Sequence, residues 1–173
     1  HDIRLTRPAA PDFRPYHDYI GSRLEILDVV SGQLDVVHTS PEAFEAPNWM
    51  PDDRTLILNI SGPGPNKGTL KTFDLETGAV ARLDTGFAVH NNNDHVLSFD
   101  SSRLAISHHS DDDAGRSVIY TLPARGGAPV RVTPRSPSFL HGWSPDAKWL
   151  VYTGGRSPGP GQTEKFDIYK IPS

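Results

Sequence analysis

Leu140-His141-Gly142-Trp143-Ser144-Pro145-Asp146-Ala147-Lys148-Trp149-Leu150 decides the reading of this chain, because degenerate copies of it recur upstream at nearly constant spacing. Trp49-Met50-Pro51-Asp52 and Leu97-Ser98-Phe99-Asp100 align with Trp143-Ser144-Pro145-Asp146. Their closing aspartates, at positions 52, 100 and 146, lie 48 and 46 residues apart. Each copy runs into a short apolar segment: Leu56-Ile57-Leu58, Leu104-Ala105-Ile106 and Leu150-Val151-Tyr152.

A second unit recurs between these. Leu24-Glu25-Ile26-Leu27-Asp28 with Gly32, Leu70-Lys71-Thr72-Phe73-Asp74 with Gly78, Ile119-Tyr120-Thr121-Leu122 with Gly126 and Gly127, and Ile168-Tyr169-Lys170-Ile171 stand in register. A short strand follows each of the first three: Leu34-Asp35-Val36-Val37, Val80-Ala81-Arg82-Leu83 and Val130-Arg131-Val132-Thr133. A period in the forties built from four short strands is the signature of a β-propeller blade, whose strands we call a to d from the channel outward. The expected fold is all-β, with four-stranded antiparallel blades and essentially no helix. The expected boundaries are an N-terminal extension over 1–22, a c-d half blade over 23–38, blades over 44–84 and 88–133, and a blade over 138–172 lacking its outer strand. Runs such as Leu56-Ile57-Leu58 and Trp149-Leu150-Val151-Tyr152 are apolar on both faces and so predict strands covered from both sides. Trp49 and Trp143 are expected in equivalent buried sites.

The repeat resembles that of TolB-like propellers: Trp-Ser-Pro-Asp leading into an apolar strand, then Asp167-Ile168-Tyr169-Lys170-Ile171-Pro172, then a Gly-Gly turn and an Arg-Val-Thr strand. The resemblance covers roughly residues 20 to 173. It is specific for fold and weak for function, since the same repeat serves in binding proteins, in propeller domains of serine peptidases and in oligogalacturonate lyase-like enzymes. The chain departs from the pattern where the a-b turn usually carries Asp-Gly. It has Asp52-Asp53, Asp100-Ser101 and Asp146-Ala147 instead, and Phe99 stands in place of Pro.

Composition excludes several classes. A net charge of −4 leaves no basic footprint for nucleic acid, and with 36% hydrophobic residues and no long apolar run there is no membrane span. The chain has no Cys, which removes disulfides and thiolate metal sites and leaves the redox compartment unreadable. No signal peptide is visible. The resemblance implies a periplasmic location, with the cytoplasm as the alternative. No Gly-x-Ser-x-Gly elbow or strand-helix alternation supports a hydrolase.

Residues 1 to 20 are Pro-rich, and Pro8, Pro11 and Pro15 block helix and central strand alike. Ile3-Arg4-Leu5-Thr6 nevertheless resembles Val130-Arg131-Val132-Thr133, so the segment is read either as a frayed tail or as an outer strand supplied to some blade. The Gly/Pro run over 61–68 precedes a strand and lacks the Lys-Ser/Thr end of a phosphate loop. Asp111-Asp112-Asp113 could hold a cation, but such a run on a loop is more often simply solvated.

Histidines carry the only other chemistry. Just before the Trp-Ser-Pro-Asp copies, where strand a enters the channel, stand Pro47, His95 and His141. Around the middle copy lie His90-Asn91-Asn92-Asn93-Asp94, and antiparallel strand b returns Ser107-His108-His109 to the same rim. His90, Asn92, Asn93, Asp94, His95, His108, His109 and His141 are therefore the candidate ligand-binding residues. Imidazoles with carboxylates suit Mn, Zn or Fe ions, whereas Asn and Asp suit sugar hydroxyls. The competing reading is that they satisfy loop backbone groups. The spacing is not itself a metal motif. The lyase-like resemblance implies a His-rich metal centre, for which His95, His109 and His141 are the positions that match, with a divalent metal such as Mn as cofactor.

Two functions follow. One is a non-catalytic propeller that binds a protein, peptide or carbohydrate at the channel mouth. The other is a metal-dependent lyase-like enzyme acting on acidic sugar oligomers. A tally of thirteen strands makes a little over three blades, against about four to eight in a closed ring. The expectation is a half ring, completed by a second copy or by the remainder of a longer chain.

Overall fold

A computed structural model describes residues 21–173, and the Ile3–Thr6 reading lies outside them. The described residues form four antiparallel sheets. The first is the hairpin β1 (Ser22–Leu27) and β2 (Leu34–Ser40). Blade 1 follows as β3 (Phe44–Trp49), β4 (Thr55–Ile60), β5 (Leu70–Asp74) and β6 (Val80–Arg82). Blade 2 consists of β7 (Asn91–Leu97), β8 (Arg103–Ser110), β9 (Arg116–Pro123) and β10 (Val130–Arg131). Blade 3 consists of β11 (Ser138–Trp143), β12 (Trp149–Arg156) and β13 (Lys165–Pro172). The order is c-d, a-b-c-d twice, then a-b-c, as the repeats predict. A single 3-10 turn at Asp111–Asp113 is the one helical element among the described residues, and none of their helices is long and apolar enough to cross a membrane.

The turns explain the repeated aspartates. In each a-b turn the carboxylate caps backbone N–H groups two or three residues on: Asp52 accepts from Arg54 and Thr55, Asp100 from Ser102, and Asp146 from Lys148. The next residue is left-handed, with φ of 52° at Asp53 and 55° at Ser101 and Ala147. These are the positions where the family pattern has Gly, which alone adopts that region without cost. The c-d turns repeat the device, with Asp28 capping Val30 and Ser31, and Asp74 capping Glu76 and Thr77.

Packing follows from strand parity, because successive side chains point to opposite faces. On β4, Leu56 and Leu58 face the first hairpin and pack with its Leu24 and with Phe73 of β5, while Ile57 faces blade 2 and meets Leu104 and Ile106. On β8, Ala105 turns the other way to meet Leu140, Trp143 and Leu150 of blade 3. Each fully buried aliphatic side chain contributes roughly 1.5–3 kcal/mol, so three such interfaces hold the stack together.

Two expectations need correction. Trp143 is 7% exposed but Trp49 is 48% exposed, although both pair with a leucine at the same register position, Leu150 and Leu56. Both face the preceding sheet. Trp143 finds the inner strand β7 there, whereas the hairpin before Trp49 has only outer strands. Nor is β12 covered on both sides: Trp149 and Val151 are exposed while Leu150 and Tyr152 are buried, because among the described residues blade 3 has a neighbour on one face only.

Candidate functional site

Every inner strand carries a β-bulge. Register shifts fall between Glu45 and Asn48, between Asn91 and His95, and between Leu140 and Gly142. Extra residues at a bulge leave the ladder and re-aim their side chains, as at the edges of many binding sites. In β7 the freed residues are Asn92, Asn93 and Asp94, and in β11 the freed residue is His141.

This geometry sorts the candidates. Asp94 is half-buried, its N–H donates to Asn92 Oδ1 at 2.9 Å, and Asn92 Nδ2 donates to Asp94 Oδ2 at 3.0 Å. Burial pushes the Asp94 carboxyl up, opposed by Asn92, by the charge of His141, by Ser107 and by the charge of His109. His141 is exposed and its Nε2 lies 2.7 Å from Thr153 Oγ1. His109 is exposed and its Nδ1–H donates to the Gly115 carbonyl at 2.9 Å, which leaves Nε2 as an acceptor on the neutral ring. Asn93, between Asn92 and Asp94 in the bulge, is exposed. Ser107, fully buried, ties the strands together by accepting from Leu140 N–H at 2.9 Å.

His108 and His90 lie on the other face. His108 precedes His109 on β8 and so points toward blade 1, where its ring stacks on His90 at 6.0 Å with 10° between planes. His108 Nδ1 accepts from His90 N–H at 3.2 Å, and burial, with the charges of His90 and His109, holds the imidazole below its ordinary value. Tyr120 and Phe87 close around it with ring centroids 5.8 and 6.0 Å away. Phe87, in the loop before β7, carries no repeat signal, because Phe87-Ala88-Val89 lies outside the strands that recur along the chain. Gly68 positions this corner. Its φ is 82°, a Cβ there would come within 2.8 Å of His90 Cα, and its carbonyl accepts from both Asn91 N and Nδ2.

His95 does not belong to the channel mouth. The bulge in β7 ends before it, so His95 rejoins the ladder opposite Ile106 and turns into the packing between blades, 2% exposed. Burial holds its imidazole down at about 4. The backbone at Ile57 and Asn93 favours the charged ring from nearby but stands outside hydrogen-bond geometry, so neither ring nitrogen has a partner among the described residues. The His95, His109 and His141 metal set is therefore not assembled. Among the described residues no three His, Cys, Asp or Glu side chains gather as a metal site. Parity and the bulge separate what the repeat alignment had grouped, and the donors do not fit a resident Mn or similar ion.

Comparison with known proteins places the fold. No protein-family profile matches the chain. An uncharacterised protein of Agrobacterium fabrum is 40% identical over 151 residues, covering 87% of this chain and 47% of that protein. A solved structure from Agrobacterium tumefaciens, assigned there as TolB, is 40% identical with a TM-score of 0.73, over 86% of this chain and 49% of that one. TolB from Acinetobacter baumannii superposes with a TM-score of 0.61 at 19% identity, over 85% of this chain and 34% of that one. The β-propeller domain of the Trilobed protease from Pyrococcus furiosus gives 0.54 at 13% identity, over 89% and 49%. The last two likenesses concern fold alone. This chain spans about half the length of the two Agrobacterium proteins. Repeat pattern, blade topology and these likenesses agree: the chain is a TolB-like β-propeller, with about three blades described here.

Proposed function

We propose that this propeller is a non-catalytic binding module that receives a protein or peptide on the rim formed by the inner-strand bulges. The observation that carries the reading is the placement of Asn92, Asp94, His109 and His141 on bulged or terminal strand positions. There they offer both donors and acceptors while the ladders behind them stay intact. Side-chain donors and acceptors held on a rim can pair with the backbone N–H and C=O groups of an extended peptide. The contact of His141 with Thr153 is not an activated nucleophile. Thr153 lies within the β11–β12 ladder opposite Phe139, and no Asp94–His141 hydrogen bond orients the ring. A lyase-like activity would need the metal centre that these residues do not form, and nothing else supports it.

The direct test is selection from a displayed random-peptide library, with a glycan array run in parallel. Peptides that bind the wild type and lose at least about tenfold in affinity to Asp94→Asn with His141→Ala support the reading. Binding to glycans alone, or peptides indifferent to both changes, overturns it.

A second proposal concerns assembly. On the face of blade 3 turned away from blade 2, Trp149 (38% exposed), Val151 (37%), Phe166 (55%) and Ile168 (69%) share one side of the β12–β13 pair. Such a face favours association, either with a second copy or with a complementary segment that continues the ring. Sedimentation of the chain tests this directly. A concentration-dependent dimer abolished by Ile168→Lys supports a second copy, and a monomer at all concentrations rejects it.

A further inference from the structure

Between the loop that links blades 1 and 2 and the β8–β9 strands of blade 2, on the far side of β8 from Asp94, lies a groove of about 430 Å³ whose lining includes Phe87, His90, His108, Tyr120, Asp111 and Asp112. Phe87 is 60% exposed yet held in place, edge-on to Tyr120 at 5.4 Å and 79°, and near His108. An aromatic ring held by other rings and still exposed offers a fixed surface on which a ligand can stack. No Lys or Arg lines the groove, and its rim carries the consecutive carboxylates of Asp111 and Asp112. The third member of that acidic run, Asp113, is already engaged by a two-pronged contact with Arg131 at 2.8 and 2.9 Å.

We propose that this groove is an anchor for an arginine side chain of a peptide partner. The guanidinium would lie on the open face of Phe87 and fork onto Asp111 or Asp112. Three properties select arginine. A ring face with carboxylates beside it attracts cations. A planar guanidinium stacks on rings and pairs with carboxylates through two N–H groups, which an ammonium cannot do. The chain itself uses both halves of this recognition, seating Arg103 over the Trp143 ring at 4.9 Å and forking Arg131 onto Asp113. A neutral sugar could stack on Phe87 and donate its hydroxyls to the carboxylates but would leave their charge uncompensated, and an acidic sugar would be repelled by them. The inference deepens the peptide-binding reading and rests on it for the nature of the partner.

The test is a titration of the whole chain with N-acetyl-arginine amide, followed by NMR at Phe87, His108 and Tyr120. The lysine amide, the glutamate amide and methyl glucoside serve as comparisons. Saturable shifts at these three residues are expected with the arginine probe, weaker ones with lysine and none with glutamate. Phe87→Ala, an exposed change, should weaken arginine binding roughly tenfold, and Asp111→Asn with Asp112→Asn should do the same. No saturable response, an equal response to glutamate, or a response to methyl glucoside alone overturns the assignment. The two readings fail separately. Displayed peptides that need Asp94 but ignore Phe87 sink only the groove, whereas a saturable arginine response with no peptide bound anywhere sinks only the rim.

Discussion

The indole of Trp143 donates from Nε1 to the Val96 carbonyl at 2.9 Å, so the repeat's signature residue in one blade closes on the inner strand of the blade before it. Arg103 covers the other side of the ring. One blade earlier Asn48 makes the corresponding link in the other direction, donating from Nδ2 to the His95 carbonyl at 3.0 Å. Trp143→Ala should therefore cost about 3–5 kcal/mol in denaturant unfolding, and Trp143→Phe about 1 kcal/mol for the lost hydrogen bond. Trp49→Ala, at the same repeat position but half exposed, should cost about 1 kcal/mol or less. Equal losses at the two tryptophans would contradict the interface described here.

The left-handed residues after each turn aspartate are removable strain. Asp53→Gly and Ser101→Gly should each raise stability by about 1 kcal/mol, read as a shift of the unfolding midpoint without a change of slope. Ala147→Gly should gain less, because the Ala147 methyl packs against the core of the blade 2 to blade 3 interface. A loss of stability at Asp53 or Ser101 would refute the strain argument.

Acid should unfold the protein in two windows. The His95 folded value of about 4 lies below its ordinary 6.5, so its contribution is complete above 6.5 and is lost as pH falls toward 4, by up to about 3 kcal/mol. The turn carboxylates act lower. The hydrogen bond from Arg54 is the largest cause holding Asp74 at about 2, with the backbone of Thr77 next, and Asp28, Asp52, Asp100 and Asp146 are also lowered. Their contribution is present above about 4 and lost toward pH 2. His95→Phe should flatten most of the stability profile between 6.5 and 4, leave the share that the lowered His108 contributes there, and leave the lower window intact. A profile unchanged by that substitution would place His95 outside the packed interface.

Replacing Gly68 by Ala should disturb the start of β7, since the added carbon meets the His90 backbone and the φ of 82° disfavours any side chain. A loss of about 1 kcal/mol or more is expected, together with chemical-shift changes at His90 and Asn91. Unchanged shifts there would show that the loop does not set this corner.

The blades were legible because their signals are local and repeated. Asp52, Asp100 and Asp146 mark the same turn, and Leu56-Ile57-Leu58 shows a strand apolar on both faces. What the repeat alignment could not show was bulge length. His95 and His141 occupy the same place before the Trp-Ser-Pro-Asp copies, yet the bulge in β7 ends before His95 and returns it to the ladder, while His141 is itself the extra residue. A shift of one residue in a strand exchanges core for rim. The same parity divides His108 from His109. Five histidines that converge along the sequence thus become a buried one, an aromatic-lined pair and an exposed pair beside Asp94. The exposure of Trp49 was hidden for another reason, since it depends on what the neighbouring sheet contains and not on the tryptophan's own repeat.

The claim that the inner-strand bulges form the binding rim is tested most directly by amide hydrogen exchange of the chain with and without a peptide selected against it. The account predicts slowed exchange over residues 90–95 and 139–143, lost in the Asp94→Asn, His141→Ala variant. Protection confined to the outer strands β6 and β10 would contradict it.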